Sequence, residues 1–286
     1  MFPEVVSPEV VSPEVVAPEV VAPEVAAPKR VAAKSAQVTF TERYTGGAYL
    51  EHAPDWHAAD SAWKAGKVFE MIERNRLQPA SVCDVGCGAG EILVQLRPRL
   101  GQEVRLVGYD ISAHAIRLAK TKEASNLSFR QGDFSRDTDF AREAAESHDL
   151  VLLLDVFEHV PDYLTFLKQL RARGRRFIFH IPLDLHVQSV LRGSRHMLEM
   201  RREFGHLHYF TIETALATLS DTGYSVLDQF YTWDHEDQEV SLRQSWKQPW
   251  RWGVQRLDRA LFALEPELAA RLRPHFNVMV LAEPAA

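Results

Sequence analysis

The chain has 286 residues, 46% hydrophobic and 25% charged, enough for one sizeable core, and its formal net charge is −6. An acidic balance argues against a built-in preference for nucleic acid, because phosphates are neutralised by clustered Lys and Arg. No apolar run approaches the length of a membrane span, and the N-terminus lacks the basic-then-apolar pattern of a secretion signal, so the cytoplasm is the expected compartment. The two cysteines, Cys83 and Cys87, lie in one short motif and suit a reducing environment. With no second pair to complete a thiolate site, packing is favoured over a redox or metal role for them.

The chain opens on a repeat of the form Pro-Glu-Val-Val-Ser/Ala, with prolines at Pro3, Pro8, Pro13, Pro18, Pro23 and Pro28. Proline at every fifth position removes donors and disfavours the helical region for the residue before it. Residues 1–34 are therefore expected to form a disordered, acidic tail, passive rather than a docking element. From Ser35 the composition is globular, and residues 35–286 are expected to form one domain.

A helix is expected to start at Asp60-Ser61, where Ala65, Val68, Phe69 and Ile72 recur at helical spacing. Strands are expected over Ser81–Val85, Val104–Asp110, Leu127–Gln131, Asp149–Leu154 and Arg175–Ile181. Between them, helices are expected over Glu91–Arg97, Ala113–Lys122, Phe140–Glu146 and Asp162–Arg173, the last with Pro161 as its first helical residue. Such alternation implies a parallel sheet covered on both faces. Residues 184–208, rich in Arg and His, form an expected insertion. Thr211–Thr222 predicts a helix, Tyr224–Tyr231 a strand, 238–272 a second, tryptophan-rich insertion, and Asn277–Ala282 a final strand.

Chemistry concentrates first in Val82-Cys83-Asp84-Val85-Gly86-Cys87-Gly88-Ala89-Gly90, a strand running into a glycine loop with a helix behind it. Glycines let the backbone turn tightly and approach a ligand. Asp110 ends the next strand, where a carboxylate suits ribose hydroxyls. The loop reads G-x-G-x-G rather than the dinucleotide pattern G-x-G-x-x-G. Asp84, two residues before the first glycine, suits a cationic ligand better than a pyrophosphate.

This motif resembles the first motif of the class I S-adenosylmethionine-dependent methyltransferases, and the chain is similar to the type-11/type-23 methyltransferase domains. The resemblance continues through Tyr109-Asp110-Ile111-Ser112, Gln131-Gly132-Asp133-Phe134 and Leu154-Asp155-Val156-Phe157-Glu158-His159-Val160. It implies a Rossmann-like α/β fold, a seven-stranded mixed sheet in the order 3-2-1-4-5-7-6 with helices on both faces. It further implies that Asp84, Gly86, Cys87, Gly88 and Gly90 form the methionine-side loop. Asp110 would face the ribose, Ile111, Asp133 and Phe134 the adenine, and Asp155 with Val156 the sulfonium. Trp63 and Lys64 belong to an entry segment that would fold over the cofactor, against a bland alternative of helix packing.

Twelve histidines are present, several near expected C-terminal strand ends. His159, His180, His206 and His208 are candidate general bases. Asp155, Glu158 and His159 form D-x-x-E-H, similar to the E-x-x-E-H of ubiquinone-pathway O-methyltransferases and small-RNA 3′-end methyltransferases. With His206 this set would hold Mg²⁺, Mn²⁺ or Zn²⁺; an organising role for the turn is the alternative. The expected reaction is methyl transfer to an oxygen, less readily a nitrogen, of a small acceptor such as a sugar or phenolic metabolite. A metal-dependent RNA-end methyltransferase and a non-catalytic partner protein are the alternatives. Acidic charge weighs against the first, and the intact glycine loop with Asp110 against the second. No nucleic-acid or membrane partner is expected, and the sequence holds no signal for an oligomeric state.

Overall fold

Apolar runs alternating with amphipathic segments set the architecture of the computed structural model, which describes residues 58–133, 148–203, 205–234 and 249–285. The repeat, the expected helix Phe140–Glu146, Phe134 and Trp246 lie outside these residues. In chain order the elements are α1 (Ala58–Arg74), β1 (Ser81–Val85), α2 (Glu91–Leu100), β2 (Arg105–Asp110), α3 (Ala113–Lys120), β3 (Leu127–Gln131) and β4 (His148–Leu154). A 3₁₀ turn (Phe157–His159) follows, then α4 (Tyr163–Leu170) and β5 (Gly174–Pro182). The remainder is α5 (Val187–Leu191), α6 (Ser194–Glu203), α7 (Ile212–Asp221), β6 (Tyr224–Trp233), α8 (Pro249–Leu264), α9 (Pro266–Leu272) and β7 (Phe276–Pro284).

The seven strands run in the order β3-β2-β1-β4-β5-β7-β6. Pairings from β3 through β5 are parallel, whereas β7 lies antiparallel between β5 and β6. Strand residues alternate between two buried clusters, as the two-residue period of a strand requires. Cys83, Val107, Val151, Phe177 and Phe179 face α4, α7 and α9. Val82, Leu106, Leu150, Leu152 and Ile178 face α1, α2 and α3. Burial on both faces is why these strands read as continuous apolar runs.

Several expected ends moved. Helix α4 begins at Tyr163, not Pro161, because the Asp162 side chain caps it by accepting from the Thr165 amide at 3.2 Å. Helix α2 passes through Pro98 and ends at Leu100, with the Gly101 amide donating to the Arg97 carbonyl. Helix α1 starts at Ala58, ahead of Asp60. The first insertion holds two helices, α5 and α6. Strand β5 extends to Pro182 because β7 pairs along it as far as Pro182↔Asn277.

Gly90 shows how the loop is tied to the sheet. Its φ is +82°, and a Cβ there would lie 2.5 Å from the Phe129 ring on β3. Gly90→Ala is expected to destabilise the protein by about 2–4 kcal/mol through strain and overpacking. Urea denaturation checks this; an unchanged midpoint would refute the packing role.

Candidate active site

The sheet reverses its strand order between β1 and β4, and crevices form outside the carboxyl ends of strands at such a point. A cavity of about 480 Å³ lies there. One side is made by the β1–α2 loop and the ends of β2 and β3, including Asp84, Gly86, Gly88, Asp110, Ile111 and Asp133. The other comes from the ends of β4, β5 and β6, α6 and the start of β7, including His159, Asp184, Met200, His206, Asp234 and Asn277.

The glycine loop is fixed by its neighbour strand. The Gly86 and Cys87 amides both donate to the Tyr109 carbonyl, at 2.7 and 3.0 Å. A Cβ on Gly86 would stand 2.9 Å from Val156 Cγ2, so the loop packs closely on the segment after β4. The Asp110 carboxylate accepts from the Gly88 amide at 2.9 Å and from the Ser112 amide at 2.7 Å. Asp84 is 2% exposed, and its Oδ2 has no hydrogen-bond partner among the described residues. Burial, reinforced by the charge of Asp110, pushes the Asp84 carboxyl up to about 8. A buried carboxylate of this kind is costly unless a cation or hydrogen-bond donor is set against it.

Asp155 ends β4 with φ +55°. Its Oδ2 lies 2.6 Å from Lys64 Nζ and its Oδ1 2.6 Å from His180 Nδ1. Burial alone would raise this carboxyl, but the charges of His180 and Lys64 hold it well below the usual range. Burial likewise opposes the Lys64 charge, and the Asp155 carboxylate outweighs it, raising the ammonium's pKa.

The next turn carries a second cluster. Glu158 is fully buried, and neither carboxyl oxygen has a hydrogen-bond partner among the described residues. Burial, then the Asp155 charge, pushes its carboxyl well above the ordinary value. The Glu158 carbonyl accepts from the Leu207 and His208 amides at 2.9 and 3.1 Å, which brings the insertion's return back to this turn. The ligand atoms of Glu158, His159 and His206 consequently lie within 4.8 Å of one another. Burial, helped by His206, lowers His159 to about 3. Asp184 Oδ2 lies 2.5 Å from His206 Nδ1.

Of the residues singled out from sequence, Trp63, Lys64, Asp84, Gly86, Cys87, Gly88, Asp110, Ile111, Asp133, Asp155, Val156, His159 and His206 line the cavity. Four expectations need correcting. His180, a candidate base, does not line the cavity: it is 1% exposed, with Nε2 2.9 Å from Thr232 Oγ1 and Nδ1 committed to Asp155. His208 Nε2 is bonded to the Val160 carbonyl at 2.9 Å and the ring packs on Tyr163. Asp155 is absent from the carboxylate–imidazole cluster, because Lys64 and His180 occupy its oxygens. Gly90 packs on Phe129 and does not line the cavity. Cys83 and Cys87 are free, buried thiols that burial pushes well above the ordinary value. Sequence reasoning missed Asp184, Met200, Asp234 and Asn277. Asp184 alone carried a signal, two residues beyond the end of a parallel strand.

Residues 56–229 match the family model for the methyltransferase domain. The ubiquinone biosynthesis O-methyltransferase of Cupriavidus pinatubonensis is 32% identical over 126 residues, 42% of this chain and 49% of that one. The trans-aconitate 2-methyltransferase of Deinococcus radiodurans is 34% identical over 91 residues, 32% of each chain. This chain thus spans about half or less of the length of these two relatives. The Haloferax volcanii chain solved with the Trm112 methyltransferase activator shares the fold at TM-score 0.55 and 17% identity, over 88% of this chain and 100% of that one. The plantazolicin methyltransferase solved with a substrate analog and SAH gives TM-score 0.50 at 16% identity, over 85% and 94%. Matching family sequence, strand order and glycine loop coincide in one molecule: the chain belongs to the methyltransferase-domain family, the class I S-adenosylmethionine-dependent methyltransferases.

Proposed function

We propose that this chain transfers the methyl group of S-adenosylmethionine to an oxygen, less readily a nitrogen, of a small acceptor such as a sugar or phenolic metabolite. The observation that carries the reading is the buried Asp84 carboxylate facing the cavity with an oxygen that lacks a partner. Asp84 receives the cofactor's ammonium, and Asp110, oriented by two amides, accepts from the ribose hydroxyls. Ile111 and Asp133 border the adenine. Trp63 and Val156 wall the cavity, and Lys64 neutralises Asp155 beside them.

When bound, S-adenosylmethionine supplies a methyl group on a sulfonium, which leaves as a neutral thioether. The protein's remaining tasks are alignment and proton removal. His206, which lines the cavity and whose Nδ1 is held by Asp184, is the candidate for the second. His159, lowered to about 3 by burial and His206, is a poor base at neutral pH.

A second reading has its own observation. Glu158, His159 and His206 converge, and the Glu158 oxygens are buried without hydrogen bonds, as a ligand set for a divalent ion would be. These three would hold the ion, without Asp155, and it would polarise and acidify the acceptor hydroxyl. The RNA-end alternative finds no support in a cavity lined by carboxylates.

Release of S-adenosylhomocysteine against a panel of nucleotide sugars, sugars and phenols tests the reading; absence of cofactor binding would overturn it. Asp110→Ala is expected to weaken cofactor binding at least tenfold by calorimetry while the circular dichroism spectrum stays unchanged. For the ligand-free protein, the raised Asp84 stabilises the fold below pH 4, and that contribution is lost as pH rises through about 8. Asp84→Asn should therefore gain about 2 kcal/mol or more in stability relative to wild type between pH 5 and pH 9, yet bind cofactor poorly. Parallel urea-stability profiles of the two proteins would contradict this. If the metal reading holds, Mn²⁺ raises Tm in the wild type and not in Glu158→Gln. An unshifted wild type rejects it.

A further inference from the structure

We propose that the acceptor side of the cavity selects hydroxyl compounds carrying no negative charge, and that Asp184 and Asp234 impose that selection. The inference rests on the methyl-transfer reading above. Among the described residues lining the cavity, Lys64 is the only lysine or arginine. Its Nζ lies 2.6 Å from Asp155 Oδ2, so its charge is already matched. An incoming carboxylate or phosphate is normally met by arginine, lysine or a fan of backbone amides. On this side it meets further carboxylates, with imidazoles beside them, one of which, His206, is held by Asp184.

Asp184 stands just beyond β5 with one oxygen on His206 Nδ1. Asp234 stands at the end of β6, where it accepts from the Asn277 side-chain amide at 2.5 Å. Both line the cavity, and Asp60 at the start of α1 lines it too. Asn277 belongs to β7, which runs beside both β5 and β6, so the two carboxylates flank the same end of the sheet. Like charges repel strongly where low-dielectric walls limit screening. An amine-bearing or uncharged hydroxyl compound avoids that repulsion and can donate to the same oxygens. Selection by repulsion needs no close fit, only carboxylates without a further lysine or arginine among the described lining residues.

The local potential can be measured without knowing the acceptor. In Met200→Cys, the new thiol on α6 lines this side of the cavity. Its rates with trimethylammonioethyl and sulfonatoethyl methanethiosulfonate are compared in chelator-treated protein, with the parent as the blank for the buried Cys83 and Cys87. Normalised to free cysteine, the cationic reagent is expected to be favoured about tenfold or more. Asp184→Asn and Asp234→Asn in that background should each lower the ratio several-fold. A ratio equal to that of free cysteine, or favouring the anion, overturns the proposal. Val160→Cys provides a second site if Met200→Cys does not fold. A second arm compares kcat/KM for matched acceptors, a neutral sugar against its uronic acid and a phenol against its carboxylated analogue. The uncharged member should win by about tenfold, and preference for the acid overturns the proposal. The thiol arm decides where no panel compound is turned over. Calorimetry without cofactor binding counts against methyl transfer itself and leaves the thiol ratio to judge the charge selection.

Discussion

The carboxylate of Asp155 holds the centre of this molecule together. One oxygen takes Lys64 from α1 and the other takes His180 from β5, whose second nitrogen reaches Thr232 on β6. Four elements that carry the cavity are thereby cross-linked through one side chain. A buried charge is tolerated only when its partners are placed well, and removing one partner strands the other. The left-handed backbone at Asp155 fits this account, since surrounding bonds, including its amide to the His180 carbonyl, hold it there.

Pinning Asp155 in this way leaves its neighbours in a different electrostatic state. Glu158, one turn on, carries no ion-pair partner of comparable strength and is driven towards its neutral form by burial and by Asp155 itself. Asp84, across the cavity, is driven the same way by burial and Asp110. Carboxyls pushed apart in this manner differ in state: one stays ionised and ties elements together, while two are driven towards the neutral form.

What could be read from the chain was what is local to a strand end. The glycine loop, Asp84 and Asp110 follow apolar runs directly, so period and spacing identified them and the structure puts them on one cavity wall. The sheet order came with the family resemblance rather than with periodicity. His180 was misread because its ring is held between Asp155 after β4 and Thr232 on β6, partners that no local spacing announces. Asp155 was assigned to the wrong cluster because its partner Lys64 lies on a helix before the sheet, and no spacing rule links the two. Asp234 and Asn277 meet only after β6 and β7 are laid side by side, so nothing in either segment announces the pair.

The neck of the first insertion has a consequence for how such an enzyme changes over generations. The Leu185 amide donates to the Phe210 carbonyl, and the Leu207 and His208 amides to Glu158, so the excursion carrying α5 and α6 is stitched shut at its base. Closing a longer loop over a fixed base costs only about 0.6 kcal/mol for each doubling of length. Residues between the stitches can be lengthened, shortened or exchanged while His206 stays beside Glu158. The excursion can therefore drift in length and sequence while the strand ends beneath it keep their places.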